Sequence, residues 1–178
     1  PPKDVFEIHT PEGEIYETTF YEYSGRVVIV EIGAEWCGPC RDALEKLNSL
    51  KIEMESNGLG EDKLEILAFT IEHGIGDPAS MSEAAERQEE LELQYPVGAY
   101  EEFGEEYIGI SGYFPTMMVL APYPANDQGL VIVGFGLYND VSELFDTKSK
   151  LENLYSGDYA EEICPQDDTD GDGTPDIF

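Results

Sequence analysis

The sequence predicts an α/β domain. Three observations carry that reading. Arg26–Ile32 is a near-continuous β-branched run, Leu44, Leu47, Leu50 and Met54 recur at helical spacing directly after it, and strand-like and helix-like segments go on alternating to about residue 154. Taken from the N-terminus, Val5–Ile8 and Glu14–Phe20 read as two short strands, and the turn signal Pro11-Glu12-Gly13 between them predicts a β-hairpin. Tyr21–Gly25 is a connection. Arg26–Ile32 lacks polar alternation, as expected of a strand buried on both faces. A helix should begin at Cys37–Cys40, run to about Met54 and end at Asn57-Gly58. Leu64–Ile71 reads as the next buried strand. Ser80–Gln94 reads as a second helix, with Ser80 or Ser82 as its N-cap and acids in its first turns. Tyr100–Tyr107 is a weaker helical segment. Thr116–Leu120 and Leu130–Gly136 read as strands joined by the hairpin loop Pro122–Gly129, and Val141–Leu154 as a final helix.

After Gly157 the composition changes. Asp167–Asp176 is rich in Asp and Gly and poor in hydrophobic residues, which places a boundary near residue 160 between a domain at 1–160 and an acidic tail at 161–178.

The chain of 178 residues is long enough for one domain with its own core, and at 41% hydrophobic and 27% charged it reads as globular. Its charge is the outlier: nine Lys+Arg stand against 39 Asp+Glu, a net charge of -30, with no Lys or Arg between Arg87 and Lys148. Such a surface repels nucleic acid and anionic lipid. It suits basic partners or a medium rich in salt or calcium, or serves solubility alone through self-repulsion. No apolar run reaches the roughly 18 residues of a transmembrane helix. The chain begins Pro1-Pro2-Lys3 without Met, which fits a mature form after signal removal or a trimmed chain, with room upstream for a signal or lipid anchor.

There are three cysteines, Cys37, Cys40 and Cys164, too few for a disulfide-stapled scaffold. Two residues between Cys37 and Cys40 let both sulfurs meet across one helical turn. A disulfide-exchange site needs one thiolate to attack and a second thiol to resolve the mixed disulfide. The helix N-terminus favours the first thiolate through its dipole and free N–H groups. Cys37 is therefore the expected exposed nucleophile and Cys40 the less exposed resolving thiol. Pro39 stiffens the turn between them, where no N–H partner is required. Half of a zinc site would need two further ligands, and His9, His73 and Cys164 have no finger-like spacing. A loop this short is also a poor structural disulfide.

Trp36-Cys37-Gly38-Pro39-Cys40, preceded by Ala34-Glu35 and followed by Arg41, resembles the thioredoxin active site, and it lies between the strand and the helix that this fold requires. Across roughly residues 4–156 the chain looks more like the extracytoplasmic thioredoxin-like reductases (redoxins) than thioredoxin itself. They carry an N-terminal hairpin, here Val5–Phe20, and an extra strand–helix insertion, here about Ile71–Tyr100. The resemblance implies a thioredoxin fold and thiol–disulfide exchange with protein substrates, fed by an upstream electron donor and needing no cofactor beyond the active-site disulfide. It implies a cis-proline facing the cysteines, matched by Pro115 with Thr116 after it; Tyr113 stands where the family often has Gly. Trp36, Phe114, Pro115 and Thr116 would then line the substrate groove, although the bulk of Phe114 keeps substrate preference from carrying over. The resemblance also implies a buried acid that relays the proton of the second cysteine; Glu31 stands there, where thioredoxins usually have Asp. Pro39 and the resemblance favour the reductase direction. Peroxiredoxins share the fold, but their motif has Thr where this chain has Ala34. His73 is read as a loop histidine without a role.

Asp168-Thr169-Asp170-Gly171-Asp172-Gly173-Thr174-Pro175-Asp176 alternates carboxylates with glycine, the pattern by which a short loop holds Ca²⁺. Asp168, Asp170, Asp172 and Asp176 would give side-chain oxygens and Thr174 its carbonyl. The run, with Cys164-Pro165 before it, resembles one thrombospondin type 3 calcium repeat. Such repeats occur in series, so a lone one would bind weakly or not at all, and a solvated acidic linker is the alternative. Cys164 would be free or paired between chains. Together with the charge, the tail suggests an exported bacterial protein. Two functions follow: an extracytoplasmic dithiol oxidoreductase, or a non-enzymatic calcium-dependent surface or adhesion module on the same fold.

Overall fold

The computed structural model describes residues 5–60, 62–99, 113–122 and 129–157. The helical expectation at 100–107, most of the 122–129 loop, Cys164 and the whole acidic tail lie outside them, as does the expected boundary near residue 160.

The described strands form one mixed sheet in the order β2 (Ile15–Thr18), β1 (Phe6–His9), β6 (Val97–Ala99), β4 (Leu64–Gly74), β3 (Val27–Ala34), β7 (Thr116–Pro122) and β8 (Leu130–Gly136), with the two-residue β5 (Asp77–Pro78) paired to β4. β1 (Phe6–His9) and β2 (Ile15–Thr18) form the expected antiparallel hairpin around Gly13. β2 stops short of Phe20, because Phe20–Tyr23 coils into a 3₁₀ turn that buries Phe20 and Tyr23. β3 (Val27–Ala34) is buried along its length and lies between β4 (Leu64–Gly74), parallel to it, and β7 (Thr116–Pro122), antiparallel. β8 (Leu130–Gly136) closes one edge. Its bounds agree with the sequence reading.

Alternation along β3 sends Val28, Val30 and Ile32 into one apolar cluster with Phe6, Phe20, Phe69 and Met118. Val27 and Ile29 enter the other, against Leu44 and Leu47 of α1 (Gly38–Ser56), Ala84 of α2 (Met81–Glu90) and Leu151 and Leu154 of the last helix. By the same period of two, Glu31 and Gly33 face the helices. α1 ends at Asn57: Leu59 N–H donates to Met54 O at 2.9 Å and Gly58 N–H to Glu55 O at 3.0 Å, the paired bonds of a Schellman cap.

Ser80 is the N-cap of α2, in a capping box with Glu83. The helix ends at Glu90 rather than Gln94, because Glu92 turns to φ 51°, and Asn48 Nδ2 donates to its carbonyl at 3.2 Å. The chain then enters β6 (Val97–Ala99), parallel to β4; three residues after a proline are too few to read as a strand. The expected final helix is broken. A single turn, α3 (Tyr138–Val141), and a 3₁₀ turn (Ser142–Leu144) precede α4 (Lys148–Ser156), which starts on the Thr147 cap. Phe145 swings into the core at this break, edge-on to the Tyr138 ring. Among the described residues no helix is long and apolar enough to cross a membrane.

Candidate redox site

The site lies where β3 runs into α1. The strand register slips between Gly33 and Ala34, and Glu35 N–H donates to Glu72 O at 2.8 Å, which holds the strand end against β4. Cys37 is the N-cap of α1 and Pro39 lies in its first turn. Cys37 and Cys40 form a disulfide with Cα atoms 5.3 Å apart, and Cys37 Sγ accepts the Cys40 N–H at 3.2 Å. The helix thus aims a free N–H and its positive end at the first sulfur, the arrangement that favours a thiolate there once the bond is reduced. Cys40 is fully buried. Cys37, expected to be exposed, is 5% exposed in this disulfide state, because Phe114 packs against both cysteines and Ala34.

The other expected residues converge on the pair. The Phe114–Pro115 bond is cis. Thr116 pairs with Ile32 in the β3–β7 register and donates from Oγ1 to Tyr113 O at 2.7 Å. This sets Pro115 beside the strand end that carries the cysteines. Trp36 is about half exposed, edge-on to Phe114 at 5.9 Å, with Nε1 donating to Glu72 Oε2 at 3.0 Å. Beside them an open groove is lined by Pro39, Ala43, Phe114, Pro115, Leu137 and Tyr138. Leu137 and Tyr138 had no signal in the sequence, since only the β8–α3 turn brings them here.

Glu31 lies beneath the pair, 1% exposed. Burial pushes its carboxyl up to about 8, opposed by the positive charge of Arg87. Its Oε1 is buried with no hydrogen-bond partner. Gly33 is what lets the acid and Cys40 meet. A Cβ there would stand 2.3 Å from Glu31 Oε1 and 3.1 Å from Cys40 Sγ. The i, i+2 spacing of Glu31 and Gly33 on a buried strand was the available signal.

His73 lies within β4 rather than in a loop, exposed, with Nδ1 against Glu35 Oε2 and 3.4 Å from Glu83 Oε1. The hydrogen bond and charge of Glu35, with Glu83 behind them, raise its pKa. Among the described residues no group of three or more His, Cys, Asp or Glu side chains is arranged to hold a metal ion. Asp168, Asp170, Asp172, Thr174 and Asp176 lie outside those residues.

No family profile matches the chain, and no curated protein matches its sequence. Solved structures do. An exposed lipoprotein thioredoxin of Streptococcus pneumoniae superposes with a TM-score of 0.53 at 17% identity, over 80% of this chain and 98% of that one. A thiol–disulfide oxidoreductase of Bacteroides fragilis gives 0.52 at 16%, over 81% and 99%. A DsbF homologue of Corynebacterium diphtheriae gives 0.52 at 16%, over 80% and 85%. This is a thioredoxin fold. Within the thioredoxin fold of this chain, the disulfide, the cis-proline, the buried acid and the aromatic pair Trp36–Phe114 occupy one end of the sheet, and β6, which follows α2, joins β4 to the N-terminal hairpin.

Proposed function

We propose that this chain is a thiol–disulfide oxidoreductase that exchanges disulfides with proteins through Cys37 and Cys40, as a reductase and outside the cytoplasm. One observation carries the reading: a disulfide at a helix N-terminus stands over a buried carboxyl, that of Glu31. In the reductase direction the Cys37 thiolate attacks a substrate disulfide. One substrate sulfur leaves as thiolate and takes a proton from solvent, and the other stays bonded to Cys37. Cys40 then gives its proton to the Glu31 carboxylate and attacks Cys37 Sγ. That bond forms as the mixed disulfide breaks, and the second substrate sulfur leaves as thiolate and takes a proton from solvent. The enzyme ends as a disulfide over a protonated Glu31, which agrees with a carboxyl raised to about 8 in the disulfide state. Two electrons from an upstream donor reduce the disulfide, and the Glu31 proton returns to Cys40, which restores the Cys37 thiolate, the Cys40 thiol and the Glu31 carboxylate.

Pro115, Phe114, Trp36 and Thr116 form the wall against which an extended substrate segment would lie, its backbone pairing beside residue 114. The extracytoplasmic assignment draws on the net charge of -30 and on the likeness to an exposed lipoprotein. Asp168, Asp170, Asp172, Thr174 and Asp176 are proposed to bind Ca²⁺ weakly.

The reduction potential tests the direction. A value near about -270 mV, as for thioredoxin, is expected; one near about -120 mV, with the dithiol the more stable form, would make the protein an oxidase. Calorimetric titration with Ca²⁺ tests the tail. Weak or undetectable heat is expected beside full thiol activity, whereas tight binding without thiol activity would favour the surface-module reading.

A further inference from the structure

Helix α2 carries a guanidinium into the core beneath the disulfide. Arg87 is 7% exposed. Its Nη1 donates to Thr70 Oγ1 at 3.2 Å, and its Nη2 is buried without a hydrogen-bond partner. Buried arginines are seldom left unpaired, because desolvating the charge is costly. The other unpartnered buried atom at this site is Glu31 Oε1.

The sheet explains why the two groups share one space. The β3–β4 register sets Ala68 opposite Glu31 and Thr70 opposite Gly33. The side chains of Thr70 and Glu31 therefore leave the sheet on the same face, and the small residues Ala68 and Gly33 leave room between them. Among the described residues, other groups face Glu31 on that side. β7 supplies Met117, and α1 supplies Cys40. The turn before β6 supplies Tyr95, whose hydroxyl donates to Leu44 O at 3.0 Å. Among the described residues Arg87 is the full charge that acts on Glu31, and both act on Tyr95. Arg87 and Glu31 make no hydrogen bond, so the coupling acts through space, in a dry interior where charges are weakly screened.

We propose that Arg87 is a positioning residue of the redox site: delivered by α2 and tethered by Thr70, its guanidinium is the counter-charge that keeps Glu31 able to take the Cys40 proton. This rests on the reading of Glu31 as proton acceptor given above. The strand–helix segment after β4 then does more than widen the sheet, since it supplies a charge that the β3–α1 motif lacks.

The test uses the full chain, reduced with dithiothreitol and freed of it, in single turnovers with a fluorogenic peptide disulfide from pH 5 to 10. Arg87→Gln is expected to raise the pH of half-maximal resolution by about one unit, slowing that step about tenfold near pH 7. Arg87→Lys is expected to restore most of the wild-type profile, and Thr70→Val to shift it in the same direction as Arg87→Gln. In a Glu31→Gln background, Arg87→Gln should add nothing. An Arg87→Gln profile that overlays the wild type, while Glu31→Gln flattens it, overturns the proposal and leaves the Glu31 role standing. A Glu31→Gln profile like the wild type removes that role, and the proposal with it. Should Arg87→Gln not fold, Thr70→Val and Arg87→Lys decide: unshifted Thr70→Val together with an unrescued Arg87→Lys overturns it.

Discussion

Replacing Cys37 with serine is expected to reduce insulin-disulfide turnover to the background of the reductant alone, a loss on the order of a thousandfold or more. Cys37 is the N-cap of α1, so its sulfur alone receives both the helix dipole and the Cys40 N–H at 3.2 Å. Cys40 is fully buried and cannot meet an outside disulfide first. The two variants should therefore differ in kind. Cys40→Ala keeps the attacking thiolate and loses the resolving one, so it should accumulate a mixed disulfide with substrate, seen by mass spectrometry as an adduct on Cys37. Cys37→Ser should trap nothing. An adduct on Cys40 in Cys37→Ser, or full turnover in that variant, would remove the mechanism.

Glu31→Gln is expected to favour the folded, oxidised protein more at alkaline pH than at acid pH. The folded carboxyl is raised from 4.5 to about 8, with burial the dominant cause. Below the unfolded value both states hold the proton, and the group contributes its full stability. Between 4.5 and about 8 the unfolded chain ionises first, so stability falls as pH rises. Above about 8 the loss is complete, and a shift of this size is worth about 5 kcal/mol. Any mismatch of the amide with its surroundings acts equally at every pH and drops out of the comparison. Guanidinium unfolding of both proteins at pH 4.5 and pH 9 measures the difference. A Glu31→Gln effect of the same size at both would mean that the acid is not held neutral by the fold. The same variant should slow resolution of the mixed disulfide near neutral pH, since Gln cannot accept the Cys40 proton. Gained stability with lost turnover is the pattern expected of an acid kept for chemistry.

Much of this site was legible because its signals are local. Two cysteines at i, i+3 after a buried strand specify an N-cap and a first helical turn wherever the rest of the chain goes. One acid in an otherwise apolar strand marks itself. Gly33 was equally visible at two residues' spacing, yet its meaning needed Cys40 to be seen above it. The misread elements failed because their limits are set from elsewhere in the fold. The break at Phe145–Thr147 and the stop at Glu92 arise from a core site for one ring and from an asparagine on α1, neither of which the apolar spacing of α4 or α2 reports.

The sequence by itself determined the α/β class and the cysteine pair at the strand–helix junction, since each depends on neighbours within a turn or a strand, and the family resemblance pointed to the acid on that strand. Only the tertiary structure decided what surrounds them. Phe114 covers Cys37, Leu137 and Tyr138 complete the groove, and Arg87 reaches the neighbourhood of Glu31 from more than fifty residues away. Burial and through-space charge depend on which distant segments the sheet register brings together. That register was set by the whole apolar core, and no local pattern encodes it.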